Sequence, residues 1–108
     1  MQQTQISNII DAGGTEGWDT HEDEHSANLA YLSKTFSFDS FEDGEKFVHK
    51  VGVFCEQIDH HPEWSAKNGG KTLNVRLTSH FADNTVTLFD FRLAQYMNVV
   101  YKKGNSWF

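Results

Sequence analysis

The stretch that decides the fold is residues 40–64, SFEDGEKFVHKVGVFCEQIDHHPEW. Its apolar residues recur at helical spacing, which predicts an amphipathic helix over about residues 41–58. These positions are Phe41, Phe47, Val48, Val51, Phe54, Cys55 and Ile58. Ser40 and Asp43 resemble the capping box that begins many helices. The helix has to end before Pro62, because the residue preceding a proline is disfavoured in the α region.

Segments on both sides of this helix indicate an antiparallel sheet. Residues 28–38 form a strand-like run before the helix, and residues 63–68 and 72–80 form two more after it. An Asn-Gly pair between the last two runs is a strong hairpin signal. Residues 87–103 then predict a final helix that opens with a Thr-x-x-Asp capping pattern. The order β-α-β-β-α predicts an α+β fold with two layers, in which an antiparallel sheet has its helices packed on one face.

The N-terminal part of the chain has weaker patterns. Isoleucines within residues 4–14 are compatible with an additional short helix that ends at a Gly-Gly pair. Residues 19–25 are mostly charged and predict a solvated loop. We expect residues 1–108 to form a single domain, in which residues 1–14 are a variable N-terminal segment.

Composition excludes several classes of protein. The net charge of −6, with no cluster of lysine and arginine, argues against direct binding of nucleic acid. No apolar run approaches the length of a membrane span, and the first residues do not resemble a signal peptide. Cys55 is the only cysteine, which excludes an intramolecular disulfide and fits a reducing compartment. We therefore expect a cytoplasmic protein that makes no contact with a membrane.

The last helix carries more apolar residues than one buried face requires. One stripe of a helix can cover a sheet, so the surplus predicts a second buried surface. In a chain this small, that surface points to self-association as a homodimer or a homotetramer.

Three histidines are the candidates for chemistry. His60 and His61 are expected at the end of the first helix, and His80 at the end of a strand. They are compatible with ordinary surface positions, with a zinc site, or with metal-free acid–base catalysis, since imidazole titrates near neutral pH. Adjacent histidines normally point apart and the helical H-E-x-x-H spacing is absent, but the residues alone leave the zinc and acid–base alternatives open.

A wider set of motifs resembles the pterin-4a-carbinolamine dehydratase family, whose mammalian members also serve as dimerisation cofactors of a homeodomain transcription factor. The motif residues are Glu56, His60, His61, Pro62, Trp64, His80 and Asp90. The similarity extends from Gly17-Trp18 through the first strand and helix to about residue 102. The loop after His80 reads FADNTVT, where the family often has a small-residue loop that contains glycine.

The resemblance implies dehydration of a 4a-hydroxytetrahydropterin to a quinonoid dihydropterin, without a cofactor or metal. It implies catalytic roles for three residues, His60, His61 and His80, with His60 and His80 as the acid–base pair. It implies that Trp64, Pro62 and Asp90 bind the substrate and that Glu56 orients an imidazole. An aromatic amino acid hydroxylase or a transcription factor is an implied partner, and a nuclear location would follow in a eukaryotic coactivator.

Overall fold

Four antiparallel strands form one sheet, against which two helices pack in the computed structural model, which describes residues 14–26 and 28–103. The sheet order is β1-β2-β4-β3. The elements are β1 (Asp19–Glu22), β2 (Leu29–Ser37), α1 (Phe41–Ile58), β3 (Glu63–Lys67), β4 (Thr72–Leu77), a 3-10 turn (His80–Ala82) and α2 (Leu88–Lys103). The predicted α+β class is confirmed, and so is the extent of the first helix.

The core lies between the helices and one face of the sheet. In the antiparallel register Leu32 pairs with Leu77 and Phe36 pairs with Leu73, so these four side chains share a face. All of them are buried. Successive residues of a strand point to opposite faces, so the positions between them lie on the other, open face of the sheet. Arg76, which has Ser33 opposite it, is one of these open-face residues.

Local backbone chemistry sets both ends of α1. At its start, the Ser40 hydroxyl accepts a hydrogen bond from the Asp43 N–H at 3.2 Å, as the capping pattern predicts. At its end, Asp59 is in the left-handed region with φ of 52°, and its N–H bonds to carbonyls of the last turn. The His60 N–H bonds to the Cys55 carbonyl at 3.1 Å, which completes a Schellman motif. The helix therefore ends at Ile58, four residues before Pro62.

The β3–β4 hairpin turn lies against the first turn of α1. Asn68, Gly69 and Gly70 all have positive φ, which explains why the turn is rich in glycine. A Cβ atom at Gly44 would be 2.5 Å from the Gly70 carbonyl oxygen. The glycine in α1 therefore permits a close approach between helix and hairpin that no larger residue would allow.

Two sequence-based boundaries were wrong. Asp19–Glu22 is the edge strand β1 and not part of a solvated loop, because it pairs with β2 over Asp19↔Ser33 to Glu22↔Leu29. An edge strand with exposed residues on both faces has no apolar alternation to reveal it. Strand β4 ends at Leu77, and His80 begins a 3-10 turn, since Ser79 forms an isolated bridge with Thr85 instead of extending the ladder.

The segment before β1 is fastened to α2 by Asn98. This buried side chain donates hydrogen bonds to the carbonyls of Gly14 and Glu16 and accepts them from Trp18 Nε1 and Lys34 Nζ. Burial lowers the pKa of Lys34, against a raising effect of Glu16. The expected N-terminal helix over residues 4–14 lies almost entirely outside the described residues. No helix in the described ranges is long and apolar enough to cross a membrane.

Candidate active site

His60 is the buried histidine of the predicted trio. The Schellman motif turns the chain inward after Asp59, and His60 is only 8% exposed. Its Nε2 lies 2.6 Å from Oδ1 of Asp90, a carboxylate in the first turn of α2. A motif residue from the end of one helix thus meets a motif residue from the start of the other.

Asp90 is itself held by two further donors. The Ser79 hydroxyl donates to Oδ2 at 2.7 Å, and the Thr87 N–H donates to the same oxygen at 2.9 Å. The Thr87 contact is one half of the predicted capping box; the Thr87 hydroxyl bonds to Ser79 instead. Because an ionised carboxylate only accepts, Nε2 of His60 carries the hydrogen of the His60–Asp90 bond. In the described part of the chain, His60 Nδ1 has no hydrogen-bond partner.

An aromatic pocket of about 220 Å³ opens beside the His60 ring. It is lined by Ile58, Asp59, His60, Phe81 and Phe89. The ring centroid of His60 is 5.7 Å from that of Phe89 and 6.3 Å from that of Phe81, and the two phenyl rings are 6.0 Å apart. Phe81 is 71% exposed and Phe89 is 42% exposed, an unusual position for large apolar side chains.

Sequence reasoning missed both phenylalanines as site residues. Phe81 falls in the loop that departs from the family pattern, and Phe89 belongs to the apolar surplus of the last helix. Neither signal says which way a side chain points. Their role as walls depends on the 3-10 turn and the start of α2 meeting at the end of α1.

His80 lies at the surface, with its two ring nitrogens engaged. Nε2 is 3.2 Å from Oε1 of Glu63, the first residue of β3. Nδ1 is 2.5 Å from the side-chain oxygen of Asn84. The next residue, Phe81, lies beside the His60 ring, whereas His80 itself is not among the residues that line the His60 pocket. Glu63 is not one of the motif residues, and the sequence did not predict its contact with His80.

His61 and Glu56 form a looser pair. The His61 Nε2 and Glu56 Oε1 atoms are 3.9 Å apart, beyond hydrogen-bond range, and both side chains are exposed. The structure therefore brings Glu56 near His61, whereas Asp90 is the carboxylate bonded to His60.

Trp64 and Pro62 are not among the residues that line the His60 pocket. Trp64 pairs with Val75, on the helix-facing side of the sheet, and packs against the core as a half-buried side chain. It also borders a shallow groove of about 380 Å³ together with Glu63 and Arg76. Pro62 lies between the histidine pair and β3, after α1 has already ended at the Schellman motif.

Neither a thiol nucleophile nor a cluster of metal ligands appears in the described part of the chain. Burial raises the pKa of the Cys55 thiol to about 11, so at neutral pH it remains protonated and unreactive. Within residues 14–26 and 28–103, no group of three or more His, Cys, Asp and Glu side chains is close enough to hold a metal ion. The zinc alternative therefore has no ligand set among these residues.

Known proteins are similar in sequence to this chain over most of its length. The family model described as pterin 4 alpha carbinolamine dehydratase matches residues 1–100. A Bordetella avium protein named "Putative pterin-4-alpha-carbinolamine dehydratase" is 38% identical over 89 residues, which are 82% of this chain and 75% of that protein. A Roseobacter denitrificans protein of the same name is 42% identical over 67 residues, 62% of this chain and 65% of its own length.

Two solved structures share the fold. A transcriptional coactivator/pterin dehydratase from Brucella melitensis superposes with a TM-score of 0.72 at 24% identity and covers 94% of this chain and 97% of its own. A pterin dehydratase-like protein described as a RuBisCO assembly factor in the alpha-carboxysome has a TM-score of 0.59 at 16% identity, over 82% of this chain and 93% of its own. Sequence and fold agree: this chain belongs to the pterin 4 alpha carbinolamine dehydratase family.

Proposed function

We propose that this protein dehydrates a 4a-hydroxytetrahydropterin to a quinonoid dihydropterin and water by histidine acid–base catalysis. The observation that carries the proposal is the buried His60–Asp90 pair beside an aromatic pocket. Family membership and the names of the relatives support the same activity. A buried imidazole that is tied to a carboxylate is a common way to hold a proton-transfer group in place.

The reaction breaks the N5–H and C4a–O bonds of the substrate and forms the C4a=N5 double bond and an O–H bond of water. A base removes the proton from N5, and the electron pair of that N–H bond forms the C4a=N5 double bond. The C4a–O bond breaks as an acid gives its proton to the hydroxyl oxygen, which leaves as water. No electrons are gained or lost, so the chemistry needs one proton acceptor near N5 and one proton donor near the hydroxyl oxygen on the neighbouring C4a.

His60 is suited to the role of base. Asp90 accepts from Nε2–H, so Nδ1 is the ring nitrogen left for the substrate. When Nδ1 takes up a proton, the imidazolium that forms is stabilised by the Asp90 carboxylate, which Ser79 and Thr87 hold in place. His80 then serves as the acid that protonates the leaving hydroxyl. His61 binds or orients the pterin, with Glu56 near its ring.

The pocket suits a flat, partly aromatic ring system. Phe81 and Phe89 both line the His60 pocket with exposed apolar ring surface, and stacking against such rings orients a planar ligand. Covering the reacting atoms with apolar walls also excludes water, which strengthens the interaction of charged intermediates with Asp90 and the histidines. Substrate bound there would place its edge toward His60.

The wider role that we propose is recycling of the tetrahydropterin cofactor of aromatic amino acid hydroxylases, in the cytoplasm. Pro62 presents the two adjacent histidines, and Trp64 supports β3 behind Glu63. In this assignment Asp90 contributes to substrate binding through His60, since its carboxylate is already engaged by three donors.

The test is the decay of a 4a-carbinolamine, followed with and without the purified protein in the presence of a chelator. We expect His60→Ala and His80→Ala each to lower kcat by about 10²-fold or more, while circular dichroism shows an intact fold. Asp90→Asn keeps an oxygen near His60 but turns an amide toward two donors, so it should lower kcat as well. His49→Ala is the matched control, because His49 is an exposed histidine on α1. Turnover like that of the wild type in both histidine variants would contradict the assignment.

A second candidate function is that of a partner protein without catalytic activity. The observation that favours it is the apolar surface exposed on both helices, including Val53 and Val99. A purified protein that forms hetero-oligomers and leaves carbinolamine decay at the uncatalysed rate would support this function over the dehydratase. The same assay therefore separates the two candidates.

A further inference from the structure

The two histidines assigned to proton transfer share one geometric feature. His60 has a carboxylate oxygen of Asp90 at Nε2, and His80 has a carboxylate oxygen of Glu63 at Nε2. The distances are 2.6 Å and 3.2 Å. Asp90 belongs to the family motif quoted above, whereas Glu63 has no assigned role. This similarity suggests that Glu63 orients the His80 ring in the way that Asp90 orients the His60 ring.

Arg76 lies on the other side of Glu63, within ion-pair distance but beyond hydrogen-bond range. It pairs with Arg76 in the β3–β4 register, and its Oε2 lies 3.8 Å from Arg76 Nε while its Oε1 faces His80. The two oxygens of one carboxylate therefore face two different cationic or hydrogen-bonding groups. A carboxylate engaged on both sides has fewer free rotamers than one that is bound on a single side.

Arg76 is in turn fixed over an aromatic ring. Its guanidinium carbon lies 3.7 Å from the ring centroid of Tyr31, a cation–π contact. Tyr31 stacks on His21, with ring centroids 4.0 Å apart. His21, Tyr31, Arg76 and Glu63 come from β1, β2, β4 and β3 in the order of the sheet. A continuous row of side chains thus crosses the open face and ends at His80.

This row contributes little to stability, since its charged members are about half exposed. Side-chain exposure is 49% for Glu63 and 68% for His80 in their contact, and exposed ion pairs of this kind are worth little. The row instead restricts the orientation of the His80 ring. An exposed imidazole on a short 3-10 turn would otherwise sample several rotamers, and a proton-transfer group has to face its substrate.

We propose that Glu63 is the positioning residue of His80, held in place by Arg76 over Tyr31. Its carboxylate accepts from Nε2–H, which fixes the ring orientation and leaves Nδ1 as the nitrogen that meets the substrate. In the free protein the Asn84 side-chain oxygen occupies that place. For this step His80 is in its imidazolium form, with a second proton on Nδ1 that faces the Asn84 oxygen. The leaving hydroxyl oxygen takes the position of the Asn84 oxygen and receives that proton as the Nδ1–H bond breaks, which leaves His80 neutral with its hydrogen on Nε2. This inference rests on the proposed dehydratase function.

The kinetic test is a double-mutant cycle on the carbinolamine assay. Glu63→Ala should lower kcat about 10-fold, as loss of an orienting partner commonly does, and leave KM within about 2-fold. In a His80→Ala background the same substitution should have no further effect, because the group that Glu63 positions is gone. Glu63→Gln keeps an accepting oxygen and should recover most of kcat. Glu22→Ala, an exposed strand glutamate of β1, is the matched control.

A second measurement is independent of turnover. Nitrogen-15 NMR of the His80 imidazole, in protein without substrate, should show altered Nε2 and Nδ1 signals in Glu63→Ala and unaltered signals in Glu22→Ala. His80 signals that do not respond to Glu63→Ala would overturn the proposal whatever the kinetics show. An additive double mutant, or a wild-type kcat in Glu63→Ala, would overturn it as well. A wild-type protein without dehydratase activity contradicts the proposed function itself, and the imidazole spectra then report separately on the Glu63–His80 contact.

Discussion

Single residues in this protein are placed by partners far away along the chain. His60 and Asp90 are 30 positions apart along the chain, yet Nε2 of the imidazole lies 2.6 Å from Oδ1 of the carboxylate. The Thr87-x-x-Asp90 pattern predicts a helix cap, and the Thr87 N–H does bond to the carboxylate. The same carboxylate reaches His60 through its other oxygen, so one residue both begins α2 and orients an imidazole.

Cys55 offers a test at the residue scale because it is fully buried on α1. Burial raises the pKa of its thiol from 9.0 to about 11. Between these values the unfolded chain releases the proton and the folded chain keeps it, so stability that is present below pH 9 is lost as the pH rises toward 11. We expect the free energy of unfolding to fall by about 1 kcal/mol more between pH 8 and pH 10 in the wild type than in Cys55→Ala.

Urea unfolding at several pH values measures this difference. Cys55→Ala creates a cavity and is less stable at every pH, so the informative quantity is how the difference in unfolding free energy between wild type and variant changes with pH. A difference that stays constant up to pH 10 would contradict the burial of the thiol. In the native wild type, thiol reagents should also react with Cys55 only after unfolding.

In helix α1, local sequence signals set the two ends, whereas tertiary contacts decide which interior residues have close neighbours. Its start at Ser40 and its end at Asp59 follow from capping chemistry that the sequence displays. Its two interior glycines look alike in the sequence, but their surroundings differ. Gly44 lies against the hairpin turn, whereas Gly52 has nothing within 4 Å of the place where a Cβ would be.

The two glycines form a matched pair of substitutions. Gly44→Ala should lower the free energy of unfolding by about 1–3 kcal/mol, because the new methyl group would overlap a backbone carbonyl oxygen that cannot move freely. Gly52→Ala should raise it by about 0.5–1 kcal/mol, since alanine loses less entropy in a helix. Chemical denaturation of both variants measures the contrast. Equal effects in both would show that α1 does not approach the hairpin as closely as described.

At the scale of the whole molecule, the helices have apolar side chains that the sheet does not cover. Phe54 and Tyr96 stack across the two helices with ring centroids 4.1 Å apart. Val53 precedes Phe54, Val99 follows one turn after Tyr96, and each is nearly half exposed. The apolar surplus that the sequence shows in the last helix is thus partly buried against α1 and partly open.

We expect this surface to mediate self-association, as the sequence predicts. Val53→Glu and Val99→Glu should each shift the protein toward the monomer, because association would bury a charge without a partner. Sedimentation velocity over a range of protein concentrations measures the shift. Arg92→Glu is the control, an exposed position of α2 that is already polar. A wild type that sediments as a monomer at all concentrations would contradict the expectation.

The sequence alone determined the features that local chemistry controls. Helix α1, the Asn-Gly hairpin, the Thr-x-x-Asp start of α2 and the histidine motif all follow from neighbours a few positions apart, and they were sufficient for the fold class and the family. Only the tertiary structure decided which groups meet across the chain. The edge strand β1, the Asp90 bond to His60, the walls of Phe81 and Phe89, and the contact of Glu63 with His80 depend on side chains that approach from separate elements. Periodicity says which face of an element is buried, but it does not say which partner lies opposite.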